Sequence, residues 1–305
     1  PTGFSAWQQD NLPETAKGVT GMVWIKNRDE ARSHVIYDSS RGAGQKLQPD
    51  KTNADTLNVD GVTKFLKGGV VVGSQNQSND TGDGNVAWNW VANGGVTSTN
   101  NDGSITSVVQ ANTTSGFSIV EFTTPSSTQD FTVGHGLSVA PRVFFFKRTD
   151  STSGWAFYHQ NVFDTYGNQY TLFLNTNSDA YAPNPGTAMY PSATTATTFS
   201  LRAGASIASS ANCVAYCFNE VEGFSKFGSY SGNSSNNGVF VYLGFRPSFL
   251  FLKQYAGGDS DWMMADSKRW SFNRGTGTSS STNIIVTNSA GAEVTNYANI
   301  DFLSN

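Results

Sequence analysis

The sequence predicts an all-β protein built from tandem antiparallel β-sandwiches, and three observations predict it. Only 14% of the residues are charged, while 37% are hydrophobic and 13% aromatic, a balance that suits strands rich in β-branched and aromatic side chains. No segment of ten or more residues repeats apolar positions at the helical period; short apolar runs alternate with Gly, Asn, Ser and Asp instead. The chain also repeats itself. A hydrophobic run ending in lysine, a polar turn and a strand closing on Asp or His occurs three times: Met22 to Lys26 with His34 and Asp38, Val143 to Lys147 with Trp155 and His159, and Phe249 to Lys253 with Trp262 and Asp266. From lysine to closing residue the spacings are 12, 12 and 13, and a fixed internal spacing decides architecture before any local motif does.

The other elements follow in order around this hairpin. Gly-Phe-Ser precedes each copy, at Gly3-Phe4-Ser5, Gly116-Phe117-Ser118 and Gly223-Phe224-Ser225, so the units start 113 and 107 residues apart. Pro141 and Pro247 introduce the second and third lysine runs, and Phe65, Phe199 and Phe302 each close a polar stretch downstream. A final strand alternates cleanly in two units, Val86-Ala87-Trp88-Asn89-Trp90 and Val214-Ala215-Tyr216-Cys217-Phe218. Asn101-Asp102-Gly103 is a hairpin-turn signal, with Ile105 to Gln110 as the departing strand. These spacings divide the chain into sandwiches at 1–115, 116–222 and 223–305, each large enough to hold its own core. The third has no counterpart of the final strand, so it is expected to be incomplete. Either the chain continues past Asn305 or another segment supplies the strand.

Composition narrows the function. A net charge of −4 gives no basic patch, so nucleic acid is not an expected partner. No apolar run approaches the roughly 18 residues of a membrane span, and no basic-then-apolar leader opens the chain. Cys213 and Cys217 fall on one face of a strand, roughly 13 Å apart at about 3.3 Å per residue, too far for a disulfide; they read as buried core thiols. No catalytic residue is expected. His34, His135 and His159 are scattered, no nucleophile elbow is present, and no pair among the carboxylates is distinguished, Glu220 and Glu222 included. No cofactor is implied. Asp80, Asp83 and Asn85 resemble a calcium loop in their oxygen ligands but lack a later bidentate Glu, so a hairpin turn is the simpler reading.

Two further patterns remain. Asp38-Ser39-Ser40-Arg41 and Asp266-Ser267-Lys268-Arg269 place an Asp and an Arg around one turn, where an ion pair locks the backbone. The second unit loses this pair at His159-Gln160-Asn161-Val162. Trp24, Trp88, Trp90, Trp155 and Trp262 follow the repeat and are core candidates. Tyr166, Tyr170, Tyr181 and Tyr190, in the long middle insertion, fall outside it, as do Trp7 and Trp270. Flat rings beside polar loops hold sugars by stacking and hydrogen bonds, which makes the four tyrosines and Trp270 the candidate ligand-binding residues.

The combination GFSIVEFT, VGHGLSVAPRVFFFK and CVAYCFNEVEGFSKFGSYSGN resembles modules of tail fibres and other structural proteins of marine bacteriophages, cyanophages especially. WIKNRDEARSHVIYDSSRG and NNDGSITSVVQAN are similar to the same family. The resemblance covers nearly the whole chain. It implies a lectin-like, concanavalin-type jelly-roll sandwich on the virion, made in the host cytoplasm and trimeric when part of a fibre, with no catalytic residues. The expected function is therefore recognition of host-surface polysaccharide. A capsid-decorating or head-fibre protein that binds other virion proteins is the alternative, and a polysaccharide depolymerase fits least.

Overall fold

The computed structural model describes residues 21–303 apart from 67, 94–95, 164–168, 182–188, 205–206, 236, 270–281 and 299. The protein is all-β, with antiparallel sheets throughout. The first repeat contributes β1 (Met22–Asn27), β2 (Val35–Asp38), β3 (Gln45–Lys46), β4 (Thr56–Leu57), β5 (Val62–Leu66), β6 (Gly69–Val72), a helical turn at Asn76–Asn79 and β7 (Asn85–Trp90). β8 (Ser98–Asn100) and β9 (Ser107–Asn112) form the hairpin expected around Asn101-Asp102-Gly103. The second repeat contributes β10 (Phe117–Thr123), β11 (Asp130–Gly134), β12 (Val143–Arg148), β13 (Trp155–His159), β14 (Leu172–Phe173), β15 (Thr198–Arg202) and β16 (Asn212–Phe218). The third contributes β17 (Phe249–Leu252), β18 (Met263–Asp266), β19 (Thr282–Val286) and β20 (Val294–Ala298).

Period-two alternation decides what each strand buries. In the seven-stranded sheet β14-β13-β12-β16-β10-β9-β8, one face presents Phe144, Phe146, Ala156 and Tyr158. The β11–β15 pair covers it through Phe131, Val133, Phe199 and Leu201. Two sheets thus pack face to face around this core. A smaller equivalent exists in the first repeat, where Val62 and Phe65 of β5 pack on Val23, Ile25, Val35 and Tyr37. The boundary expected after residue 115 falls inside a sheet, because β9 pairs with β10 over six residues, from Phe117↔Asn112 to Phe122↔Ser107. The third Gly-Phe-Ser also departs from expectation: Phe117 is buried in β10, but Phe224 sits in a turn and is 62% exposed.

The three repeats do not have three private cores. Trp24 and Ile36 from the first, Phe145 and Phe157 from the second, and Trp262 and Met264 from the third share one buried cluster. The ring of Trp24 meets Phe145 and Phe251, its equivalents, at 6.2 Å each. The junctions are cyclic. Trp155 Nε1–H donates to the carbonyl of Gln48 at 2.9 Å, and Trp262 Nε1–H to that of Phe173 at 3.0 Å. His34 occupies the same step of the first hairpin, and its Nε2 lies 3.0 Å from the carbonyl of Val286. The acceptors are equivalent: each follows the residue facing Ile36, Phe157 or Met264, namely Leu47, Leu172 and Ile285. The second repeat thus grips the first, the third grips the second, and the first grips the third.

The recurring lysine reinforces two of these junctions. Lys147 Nζ donates to the carbonyl of Thr52 at 3.1 Å, and Lys253 Nζ to that of Asn177 at 2.9 Å. Lys26 turns instead toward the carbonyls of Asn27 and Glu30 in its own repeat. Burial pushes both Lys26 and Lys147 down to about 8.

His34 completes the ring only when neutral. Its Nδ1 accepts from Trp24 Nε1–H at 3.0 Å, so the proton sits on Nε2 and is donated to Val286. Burial, helped by the Lys26 charge, pushes the imidazole from 6.5 to about 3. The unfolded chain therefore binds this proton first. Its contribution to stability is complete above about pH 6.5 and declines on acidification toward pH 3, by roughly 1.4 kcal/mol per pH unit. The other two hairpins carry Phe and Trp at these positions, so the double variant Trp24→Phe/His34→Trp is expected to fold and to lose this slope. Urea unfolding of both proteins at pH 7 and pH 5 measures it; an unchanged difference would assign the slope to other groups.

Candidate functional site

The sheet face carrying Phe144 and Phe146 is closed by β11 and β15 over most of its length. Toward the Arg148 end of β12 the cover stops, leaving a cleft of about 280 Å³. Phe146, Ala156, Phe173, Met189 and Ile207 give it an apolar floor and walls, and Arg148, Thr152 and Ser153 supply a polar rim. Strand alternation sets the floor: Phe146 pairs with Ala156, whose small side chain leaves room, and Ala156 pairs with Phe173. Arg148 Nε donates to Asp150 at 2.5 Å, which holds the guanidinium at the mouth and keeps the Asp150 carboxyl below its ordinary range. Ser153 Oγ accepts from Lys147 Nζ at 3.0 Å. An apolar floor with a few fixed polar groups at one edge is the general form of a small-molecule site.

The expected ligand residues are only partly related to this cleft. Tyr190 does not stack in solvent: it is 2% exposed, with its ring 5.6 Å from Phe144 and 5.1 Å from Tyr158. The insertion folds back over the sheet there, and its neighbour Met189 forms a cleft wall. Tyr181 is exposed and bridges to Thr171, while Tyr170 is half-buried; neither lines the cleft. Tyr166, Trp7 and Trp270 lie outside the described residues. In the calcium candidate, the Asp80 carboxylate meets Arg32 at 2.5 Å and that of Asp83 accepts from Asn27 at 2.7 Å. Asn85 Nδ2 bonds the Asp83 carbonyl. Among the described residues no group of three or more His, Cys, Asp or Glu side chains could hold a metal ion. Cys213 and Cys217 are free and buried, and burial pushes the Cys213 thiol up to about 12.

Asp38, Arg41, Asp266 and Arg269 form two equivalent buried clusters. In the first, Asp38 Oδ1 accepts the backbone N–H of Ser40 and Arg41, while Oδ2 takes Arg41 Nε at 2.6 Å. In the second, Asp266 treats Lys268 and Arg269 identically, with the Arg269 Nε bond also at 2.6 Å. Each arginine reaches a second acid: Arg41 to Asp55 at 2.8 Å and Arg269 to Glu293 at 2.7 Å. Each aspartate also receives an aromatic donor from the next repeat in the cycle, Tyr216 Oη–H on Asp38 at 2.6 Å and Trp88 Nε1–H on Asp266 at 3.2 Å. The turn lock is therefore also a junction between repeats, a role the local Asp-Ser-x-Arg spacing does not reveal. Burial opposes ionisation of Asp266, but the bonds from Arg269 and Lys268 outweigh it and hold the carboxyl below its ordinary value.

Removing Arg269 leaves Asp266 buried without its cation and Glu293 paired with Arg28 alone. Arg269→Met is expected to cost about 3–5 kcal/mol. It should also speed amide exchange in β7, because the guanidinium lies 5.4 Å over the Trp88 ring. Thermal unfolding and hydrogen exchange check both, and a loss below about 1 kcal/mol would place the pair among inconsequential surface bridges.

No curated protein and no solved structure matches the chain. Over residues 10–305 the chain matches the domain of unknown function DUF7483, and it belongs to that family.

Proposed function

We propose that this protein is a bacteriophage virion component of the tail-fibre or receptor-binding kind, and that it holds host-surface glycan in the cleft of its second repeat. The observation that carries the reading is the cleft itself. Its volume of about 280 Å³ suits one ring-sized ligand. Its Phe173 edge offers an apolar surface for the C–H face of a sugar, and Arg148, Thr152 and Ser153 offer donors and acceptors for hydroxyls. Such a site is weak alone and gains from presentation in several copies, as in a trimeric fibre. The resemblance of GFSIVEFT, VGHGLSVAPRVFFFK and CVAYCFNEVEGF to marine phage fibre modules supplies the virion context.

A second reading, a capsid-decorating protein that binds other virion proteins, is favoured by one feature. Val239, Phe240, Val241 and Tyr242 form an exposed apolar run at 41–70% exposure, and contiguous exposed apolar surface marks protein partners.

Binding of purified protein to host polysaccharide on a glycan array tests the first reading. Wild type is expected to bind, and Arg148→Ala, on the exposed rim, is expected to weaken binding at least tenfold without moving the unfolding midpoint. Phe173→Ala should weaken it further. Absence of binding by wild type, or unchanged binding by Arg148→Ala, would leave the decorating role as the better account. Release of reducing ends would point to depolymerisation.

A further inference from the structure

In the first two repeats the lysine strand is paired on both edges. β1 lies between β2 and β7, and β12 lies between β13 and β16. The registers are equivalent, with Trp24 opposite Trp88 and Phe145 opposite Tyr216. Among the described residues β17, the third copy, pairs with β18 alone and ends its sheet. Every residue of β1 is buried, as are Val143 to Lys147 of β12, whereas all four residues of β17 are only half-buried. The segment before it shares this condition. Residues 226–246 contain no strand among those described, and Tyr230, Phe240 and Tyr242 are 49%, 69% and 70% exposed. They stand between the Gly-Phe-Ser motif and Pro247 as β10 and β11 stand between theirs and Pro141. β10 is a strand because β16 pairs with it along its whole length.

A second, independent observation comes from the second repeat. Two closing residues receive an aromatic from the next repeat's final strand, Asp38 from Tyr216 and Asp266 from Trp88. The remaining one is His159. Its Nδ1 accepts the backbone N–H of Asn161 at 3.1 Å, as Asp38 Oδ1 accepts that of Ser40. Its Nε2, which corresponds to Asp38 Oδ2, has no hydrogen-bond partner among the described residues. With Nδ1 accepting, Nε2 of the neutral ring carries the proton and is open to an acceptor. A tyrosine oxygen can accept it; an indole N–H cannot.

We propose that the free edge of β17 docks one β-strand of a polypeptide partner. The strand runs antiparallel to β17, alternates small and aromatic residues, and carries a tyrosine opposite Phe251 whose oxygen takes the His159 Nε2 proton. The partner is a polypeptide because the open groups are a row of backbone N–H and C=O along a strand edge, which only another strand satisfies repeatedly. The pattern is the one that covers β12: Val214, Tyr216 and Phe218 on one face, with Cys213, Ala215 and Cys217 on the other. Once seated, the strand offers its far edge to residues 224–230, as β16 does to β10. This site is separate from the glycan cleft, which stands or falls on its own measurement.

The test titrates the full chain with a synthetic peptide of residues 210–219 carrying Cys213→Ser and Cys217→Ser, and follows hydrogen exchange. The expected result is one peptide per chain, with slowed exchange at 249–252 and at 224–230. Tyr216→Phe and Tyr216→Trp peptides are expected to bind about five- to tenfold more weakly. No slowing at 249–252 with the parent peptide overturns the site, and equal binding by all three peptides overturns the part played by His159. If exchange at 249–252 is already slow in the free chain and sedimentation shows a concentration-dependent dimer, a second copy covers the edge and the proposal is wrong.

Discussion

The structure depends on a ring nitrogen reaching a neighbour's main-chain carbonyl, made three times around a closed cycle. A buried carbonyl without a donor costs about 1–3 kcal/mol. Each repeat offers one such carbonyl, at Gln48, Phe173 or Val286, and the next repeat supplies the donor. The donor comes attached to a large flat side chain, so the same residue satisfies the polar group and fills the shared core. Within each hairpin a side-chain oxygen fixes the donor's backbone: Asp50 takes the N–H of His34, Asn175 that of Trp155 and Asn288 that of Trp262. The cycle explains why the repeats keep their hairpins alike while their loops differ in length. A hairpin out of register at its own turn would misplace the donor for its neighbour.

Much of the fold was legible because the repeats are spaced by backbone geometry. Lysine-to-closing distances of 12 and 13 residues located β12, β13, β17 and β18, and alternation located β7 and β16. What could not be read was partnership. The local pattern of β9 says strand, yet nothing in it says that its partner is β10 rather than a strand of the first repeat. Phe117 and Phe224 sit in the same tripeptide, but only the first has a strand beside it, so only the first is buried. Tertiary pairing overrides local propensity in strands.

The site was less legible than the fold, for a different reason. The insertion around Tyr166 to Tyr190 was expected to present its rings because it falls outside the repeat. Residues outside a repeat are still free to cover a sheet, and burying the Tyr190 ring against Phe144 and Tyr158 outweighs leaving it in water. The cleft residues Phe173 and Met189 flank the tyrosines in sequence. The insertion reaches the cleft through Phe173 and Met189, while Tyr190 packs inward. His34 does not look like a junction residue in the sequence because it is not a tryptophan, although it lies eight residues after its lysine, as Trp155 does.

The second repeat shows how a buried ion cluster is removed without leaving a stray charge. Backbone bonds identify the equivalent positions: Asp55 N–H meets the Thr149 carbonyl at 2.8 Å, Glu293 N–H that of Arg28 at 2.7 Å, and Ala180 N–H that of Tyr255 at 2.9 Å. Ala180 therefore stands where the other repeats have their second acid. Val162, buried at 3% exposure, stands three residues after His159 where they have arginine. Aspartate, arginine and the second acid have become histidine, valine and alanine. Loss of the arginine alone would leave acidic charge uncompensated in the interior, at about 3–5 kcal/mol, whereas replacing the whole set by neutral groups is close to free. The one polar group retained is an imidazole, which can stay neutral with one nitrogen on its own backbone. The hairpin that gives up its charges is the one whose closing residue faces no final strand among the described residues. A cluster stabilised by an aromatic donor from the next repeat has less reason to stay charged where that donor is missing among the described residues.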